Sequence, residues 1–181
     1  PGGGRKCRPQ LRDLWQHHRG AGTGTLVDWL GTSGDDTQID MGTARTLVAG
    51  AGNDVLTATA ASVLMGGAGN DRFSINQTMA TALQSALGMG GNTTRLSRVD
   101  GGTGLDTLVL AAGTSLDLTR VANASGGDPE GTDRVASIER IDLATDTAAN
   151  TLTIAARDVN DMAGFNQIRT GSVSADGNTW T

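Results

Sequence analysis

Apolar residues recur about every nine positions in the first half of the chain, whereas acidic residues recur about every eighteen. The apolar positions are Ile39, Leu47, Leu56, Leu64 and Phe73. The acidic positions are Asp36, Asp54, Asp71 and, after one longer interval, Asp106. One shape explains both periods: nine-residue units, each a six-residue turn followed by a three-residue strand, with two units to a coil. Successive coils then stack as parallel strands about 4.8 Å apart, with the apolar residues pointing inward.

Each of these acids ends a glycine-rich turn. The turns are GTSGDD (31–36), AGAGND (49–54), GGAGND (66–71) and GGTGLD (101–106). Turns one coil apart lie above one another, so the acids are predicted to line one edge of the stack. The half-steps 40–48 and 58–65 form the opposite edge, which carries Arg45 and is expected to lack acids and to bind no metal. In the first repeat Gln38 stands where an apolar residue is expected, and Ile39 is expected to fill that place.

Residues 76–99 interrupt the repeat. Met79, Leu83, Ala86 and Leu87 follow a helical spacing, which predicts a short amphipathic helix over 78–88 that caps or flanks the coil. A loop is the alternative.

The remainder of the chain is predicted to be rich in β-strands. Alternation over 105–119 involves Leu108, Leu110, Leu116 and Leu118. Strands are predicted near 138–143 and 151–155, followed by a helical turn with Val159 and Met162 inward. The segment 125–133 is predicted to be a solvated loop, with an ion site at Asp128, Glu130 and Asp133 as the alternative. The predicted organisation is a basic segment (1–24), a repeat domain (25–110, with the insertion 76–99) and a β-rich extension that stacks on it (111–181).

Charge is divided unevenly along the chain. Residues 1–20 carry five basic residues and one acid, whereas 21–181 carry nine arginines and eighteen acids, a net charge of −9. The acidic body favours cations over nucleic acid as partners. The basic start is interpreted as a glycine-rich linker or a sequence added for expression, with a nucleic-acid-binding tail as the alternative. No apolar run is long enough to predict a membrane span.

The repeats resemble a known family. GGAGNDRFS (66–74) and GGTGLDTLV (101–109) match the nonapeptide Gly-Gly-x-Gly-x-Asp-x-apolar-x of the repeats-in-toxin (RTX) proteins. AGAGNDVLT (49–57) departs at Ala49, and GTSGDDTQI (31–39) departs at Thr32 and Gln38. The phrases IERIDL and NTLTIAARDV look like the segment that follows RTX repeats in large bacterial surface adhesins. The resemblance implies a mainly β fold, a parallel β-roll (β-solenoid) with a short helical insertion and a β-rich C-terminal part.

The same resemblance implies Ca²⁺ as the cofactor. Calcium takes six to eight oxygen ligands, which carboxylates and the carbonyls of glycine-rich turns can supply. By the family's ligand rule, one site joins turn 31–36 to Asp54, a second joins turn 49–54 to Asp71, and a third requires turn 101–106 to rejoin the stack. The candidate metal ligands are Thr32, Gly34, Asp36, Gly50, Gly52, Asp54, Gly67, Gly69, Asp71, Gly102, Gly104 and Asp106. Ordinary Asx turns are the alternative.

Catalytic patterns are missing from the sequence. His17 and His18 stand together in the basic start, Glu130 and Glu139 are not paired, and neither His-Glu-x-x-His nor Gly-x-Ser-x-Gly occurs. The sequence therefore predicts a monomeric, non-catalytic module. The RTX resemblance implies that it binds calcium and belongs to a secreted, extracellular or bacterial cell-surface protein, an adhesin exported by type I secretion. The alternative is the secretion and stabilisation tail of an exported enzyme (protease, lipase or epimerase) or toxin. Besides calcium ions, the candidate partners are a host or cell-surface ligand and flanking domains of a larger protein.

Overall fold

The computed structural model describes residues 27–123, 133–143, 148–162, 172–173 and 179–180. The described part is mainly β, with parallel sheets and two α-helices. The predicted basic segment 1–24 lies outside the described residues, as do Asp128 and Glu130 of the predicted loop.

Two five-stranded parallel sheets contain most of the strands. The first contains β1 (Trp29–Leu30), β3 (Thr46–Ala51), β5 (Val63–Ala68), β7 (Arg98–Thr103) and β10 (Val135–Ala136). The second contains β2 (Thr37–Ile39), β4 (Val55–Ala58), β6 (Arg72–Ile75), β8 (Thr107–Leu110) and β11 (Arg140–Asp142). From β1 to β8 the chain therefore crosses from one sheet to the other at every strand. Each strand pairs with the strand two places along the chain, as a two-strand repeat requires.

The strand register stacks the recurring apolar residues. Leu47 pairs with Leu64 in the first sheet, and Leu56 pairs with Phe73 in the second. All four side chains are fully buried in one hydrophobic cluster, which confirms these inward positions. The prediction for Ile39 is wrong, because that side chain is 42% exposed.

The register gives the reason for the exposure of Ile39. Gln38 pairs with Leu56, so Gln38 occupies the inward position. Since successive side chains of a strand point to opposite faces, Ile39 necessarily faces away from the cluster.

The insertion forms a shorter helix than the sequence predicts. Helix α1 spans Gln77–Leu83, and its N-cap, Asn76, accepts a hydrogen bond from the backbone N–H of Met79 (3.1 Å). Met79 and Leu83 are buried as predicted. Ala86 and Leu87 lie beyond the helix and are exposed, so their predicted inward placement is wrong.

Two buried side chains explain why the helix stops at Leu83. The Asn92 amide donates to the carbonyls of Ala82 and Ser85, both at 2.8 Å. The Arg134 guanidinium donates to the same two carbonyls at 2.9 and 3.1 Å. These donors satisfy carbonyls at the end of the helix, which a further turn would have used. Burial lowers the pKa of Arg134.

The C-terminal strands fall near their predicted positions. Strand β9 (Ser115–Asp117) pairs in parallel with β12 (Thr151–Thr153), and helix α2 spans Ala156–Met162. Met162 is buried as predicted, whereas Val159 is 57% exposed, contrary to prediction. A short antiparallel pair, β13 (Ser172–Val173) and β14 (Thr179–Trp180), follows. Among the described helices, none has the length and apolar character needed to cross a membrane.

Leu64 is fully buried in the hydrophobic cluster, so its side chain should contribute to the stability of the fold. We expect Leu64→Ala to lower the free energy of unfolding by about 2–5 kcal/mol, the usual cost of emptying a fully buried leucine site. The matched control is Leu87→Ala, which alters a side chain that is 58% exposed and should change stability by less than about 0.5 kcal/mol. Urea unfolding of both variants measures the difference, and equal costs would contradict the stacked core.

Candidate metal centre

The acids that end the four turns form a single row. Asp54 Oδ1 accepts the backbone N–H of Asp36 (2.7 Å), Asp71 Oδ1 accepts that of Asp54 (2.8 Å), and Asp106 Oδ1 accepts that of Asp71 (2.7 Å). The turn 101–106 rejoins the stack despite the 35-residue step, because Gly67 pairs with Gly102. The structure thus brings together all four acids that the repeat pattern aligned.

A second row, which the sequence analysis missed, runs beside the first. Asp35 Oδ1 accepts the N–H of Asn53 (2.7 Å), Asn53 Oδ1 accepts that of Asn70 (2.8 Å), and Asn70 Oδ1 accepts that of Leu105 (2.8 Å). Here the acceptor belongs to the earlier coil, whereas in the aspartate row it belongs to the later coil. The two rows therefore bond neighbouring coils in both directions. The repeated dipeptide Asn-Asp was the signal that could have revealed the second row.

The glycines bring the backbones of successive turns into close contact. The positive φ angles among the candidate ligands belong to Gly50, Gly52, Gly67, Gly69, Gly102 and Gly104. A Cβ on Gly67 would lie 2.1 Å from the carbonyl oxygen of Gly50, and one on Gly69 would lie 2.0 Å from that of Gly52. Only glycine allows this approach. Carbonyl oxygens of one turn therefore lie directly against the glycines of the next turn.

Three aspartates each keep one oxygen without a partner among the described residues. Asp54, Asp71 and Asp106 are at most 2% exposed, and their Oδ2 atoms are buried and accept no hydrogen bond from this part of the chain. A buried, unpaired carboxylate oxygen is costly unless a cation or proton meets it. Oxygen donors of this kind, beside backbone carbonyls, are the ligand set that Ca²⁺ prefers. The residues present therefore fit a calcium ion.

The first turn differs from the others. Asp36 Oδ2 accepts the backbone N–H of Thr32 (2.6 Å) and its hydroxyl (2.9 Å). Threonine stands here in place of the second glycine of the repeat, and its donors satisfy the carboxylate within the turn. Gly34 lacks a positive φ, and the nearest atom to a Cβ there would be 3.9 Å away. The candidate ligands in turn 31–36 are consequently less prepared for a cation than those in the later turns.

The pKa values of Asp71 and Asp106 differ from those of ordinary surface acids. Burial raises the pKa of Asp71, and the charge of Asp54 adds to the shift. Burial also raises the pKa of Asp106 to about 6, with further contributions from the charges of Asp71, Glu139 and Asp100. A positive ion beside these carboxylates would offset both effects.

The opposite edge carries a buried acid, so the expectation that it lacks acids is wrong. Asp40 is 0% exposed, and its carboxylate accepts hydrogen bonds from the Thr59 hydroxyl (2.6 Å), the Ser62 hydroxyl (2.7 Å) and the backbone N–H of Ala60 (2.9 Å). Burial opposes its ionisation, but the hydrogen bonds together outweigh burial and lower the pKa of Asp40. Hydrogen-bond donors of the protein thus satisfy the Asp40 carboxylate, in contrast to the Oδ2 atoms of Asp54, Asp71 and Asp106.

No group of three or more His, Cys, Asp or Glu side chains comes together as a metal cage within the described residues. A metal in the aspartate row would therefore depend on one or two carboxylates together with backbone carbonyls. Comparison of the chain with protein-family models, with curated proteins and with solved structures finds no match.

The close contact at Gly67 makes a direct prediction. Gly67→Ala would place a Cβ against the Gly50 carbonyl at a φ of 115°, so we expect a loss of at least about 1–3 kcal/mol in stability. Gly34→Ala is the matched control and should be nearly neutral, because its site has space and no positive φ. Denaturant unfolding compares the two, and a tolerated Gly67→Ala would show that the coils are further apart.

The raised pKa of Asp106 predicts a pH dependence for the metal-free protein. Because the folded pKa (about 6) exceeds the ordinary value of 3.8, stability should be greatest below pH 3.8 for this group and should fall as the pH rises to about 6. The change should reach up to about 3 kcal/mol. Asp106→Asn keeps the acceptor oxygen and should remove this fall. Urea midpoints in the presence of chelator test it, and an identical slope in the variant would contradict the assignment.

Proposed function

We propose that the two parallel sheets form a β-roll, a β-solenoid of the RTX type, that calcium stabilises. The alternation of strands between the sheets supports this architecture, as does the two-strand pairing step from β1 to β8. Strands β10 and β11 continue the two sheets after β7 and β8.

The proposed ions lie along the aspartate row. One would join turn 49–54 to Asp71, and another would join turn 66–71 to Asp106. The observation that carries this proposal is the set of three buried Oδ2 atoms, on Asp54, Asp71 and Asp106, that have no hydrogen-bond partner in the part of the chain that the structure describes. A site between turn 31–36 and Asp54 is proposed as weaker, because Thr32 already satisfies Asp36.

Calcium would act on the stability of the fold rather than in a reaction. Carboxylates about 5 Å apart repel one another by about 1–3 kcal/mol per pair at effective dielectric constants between those of water and a protein surface. Since the ion binds the folded row and not the extended chain, its binding free energy adds to folding. Calcium binding and folding are therefore coupled in this proposal.

The coupling fits a secreted, non-catalytic module. Extracellular calcium sites have dissociation constants of about 0.1–1 mM, so such a module would stay open in a calcium-poor cytosol and close outside the cell. We propose that the protein is a calcium-binding part of a bacterial secreted or surface protein, in the manner of an adhesin. Its support is the resemblance of the repeats together with the geometry of the row.

Calcium dependence of stability tests the proposal. We expect 10 mM CaCl₂ to raise the free energy of unfolding by about 1–3 kcal/mol for each bound ion, and EDTA to reverse the gain. Asp71→Asn should remove most of the gain, because it takes one charge from the middle of the row. Thermal melts followed by circular dichroism provide the measurement.

Asp142→Asn is the control for this test. Asp142 forms an ion pair with Arg72 at 3.2 Å and is not part of the aspartate row. This substitution removes the same charge and should leave the calcium response unchanged. If the melting temperature of the wild type is the same with calcium and with chelator, the proposed function is rejected.

A further inference from the structure

The end of the aspartate row contains an acid that belongs to no repeat motif. Glu139 Oε2 accepts the backbone N–H of Asp106 at 2.7 Å. This is the bond that Asp54, Asp71 and Asp106 each make to the turn before them. Glu139 therefore continues the row into a segment whose sequence, SIERID (137–142), has no glycine.

The strand register explains why a glutamate takes this place. Val99 and Thr107 are eight residues apart, whereas their partners Val135 and Arg140 are five residues apart. The last turn is thus three residues shorter than the turn on which it stacks (8 − 5 = 3). A glutamate is one methylene longer than an aspartate, which lets the shortened turn reach the N–H of Asp106.

A carbonyl oxygen of the short turn lies on the same side of Gly101 as the Oδ2 atom of Asp106. Ser137 has a φ of 53°, in the left-handed region. A Cβ on Gly101 would lie 2.0 Å from Ser137 O and 2.4 Å from Asp106 Oδ2, so both oxygens border the space that the glycine leaves. The repeat one coil earlier has the same arrangement, in which a Cβ on Gly66 would lie 2.0 Å from Asp71 Oδ2 and 2.7 Å from Gly101 O.

We propose that the turn 137–139 closes an additional divalent-cation site, in which Asp106 Oδ2, the Ser137 carbonyl and the Glu139 carboxylate are ligands. The ligands are oxygens with two carboxylate charges, which favour Ca²⁺. Asp106 is 0% exposed and its Oδ2 has no hydrogen-bond partner within residues 27–123, 133–143 and 148–162, so the site includes a buried acceptor that a cation would satisfy. The nonapeptide motif does not mark this site, because the turn lacks glycines and ends in glutamate.

This inference depends on the proposed function, since it adds one ion to the same row. Calcium titration of the full chain by isothermal calorimetry tests it, with the wild type compared to Glu139→Gln. The glutamine keeps an oxygen that can accept the Asp106 N–H but removes the charge. We expect the variant to bind one Ca²⁺ fewer than the wild type. Asp142→Asn, which removes a charge three residues away, should bind the same number as the wild type.

The outcomes separate this inference from the proposed function. If the wild type binds no calcium, both fail. If Asp71→Asn lowers the number of bound ions and Glu139→Gln leaves number and affinity unchanged, only the additional site is rejected.

A second variant guards against an effect on folding alone. Glu139→Asp keeps the charge but shortens the side chain, so we expect the ion to be retained with weaker affinity. If Glu139→Gln keeps every ion and Glu139→Asp keeps the wild-type affinity while circular dichroism shows both folded in calcium, the Glu139 carboxylate is not a ligand and the site is overturned.

Discussion

The fold depends on one constraint: the carboxylates that end neighbouring glycine-rich turns must stack on one another. Asp54, Asp71 and Asp106 each accept, through one oxygen, a backbone N–H of the preceding turn, which fixes the register between the turns. The other oxygen of each of these three has no protein donor among the described residues. The same residues therefore hold the coils in register and oppose their approach, and a cation is the simplest means of resolving that conflict.

The two edges of the stack meet the problem of a buried acid in different ways. Asp40 collects hydroxyl and amide donors from the facing turn, so its charge is stable without any further partner. On the aspartate edge the corresponding space is taken by glycines, whose carbonyls are further acceptors. The aspartate edge therefore has more hydrogen-bond acceptors than donors, whereas the acceptors of Asp40 on the opposite edge are matched by donors. That asymmetry, rather than the number of acids, is why the cation sites are proposed on the aspartate edge and not beside Asp40.

The ends of the row differ from its middle for a related reason. Asp36 has no earlier coil to bond among the described residues, and Thr32 supplies donors from within its own turn. At the other end Glu139 continues the row across a shortened turn. The insertion between β6 and β7 does not disturb the row, since β7 pairs with β5 in register, and Asn92 and Arg134 bind the end of the inserted helix. Gly67 thus pairs with Gly102, 35 residues later, in the same way as Gly50 pairs with Gly67, 17 residues later.

The sequence by itself determined the period, the inward apolar residues such as Leu64 and Phe73, and the alignment of the four aspartates. These follow from local repetition, since equal steps along the chain become equal positions in stacked strands. Only the tertiary structure decided where Ile39 points, where helix α1 ends, that Asp40 is buried, and that Glu139 joins the row. Each of these depends on a partner distant in the chain, such as Leu56 for the register of β2 or Arg134 for the helix end. A local sequence pattern does not reveal such a partner, because contacts between distant residues form only when the chain is packed.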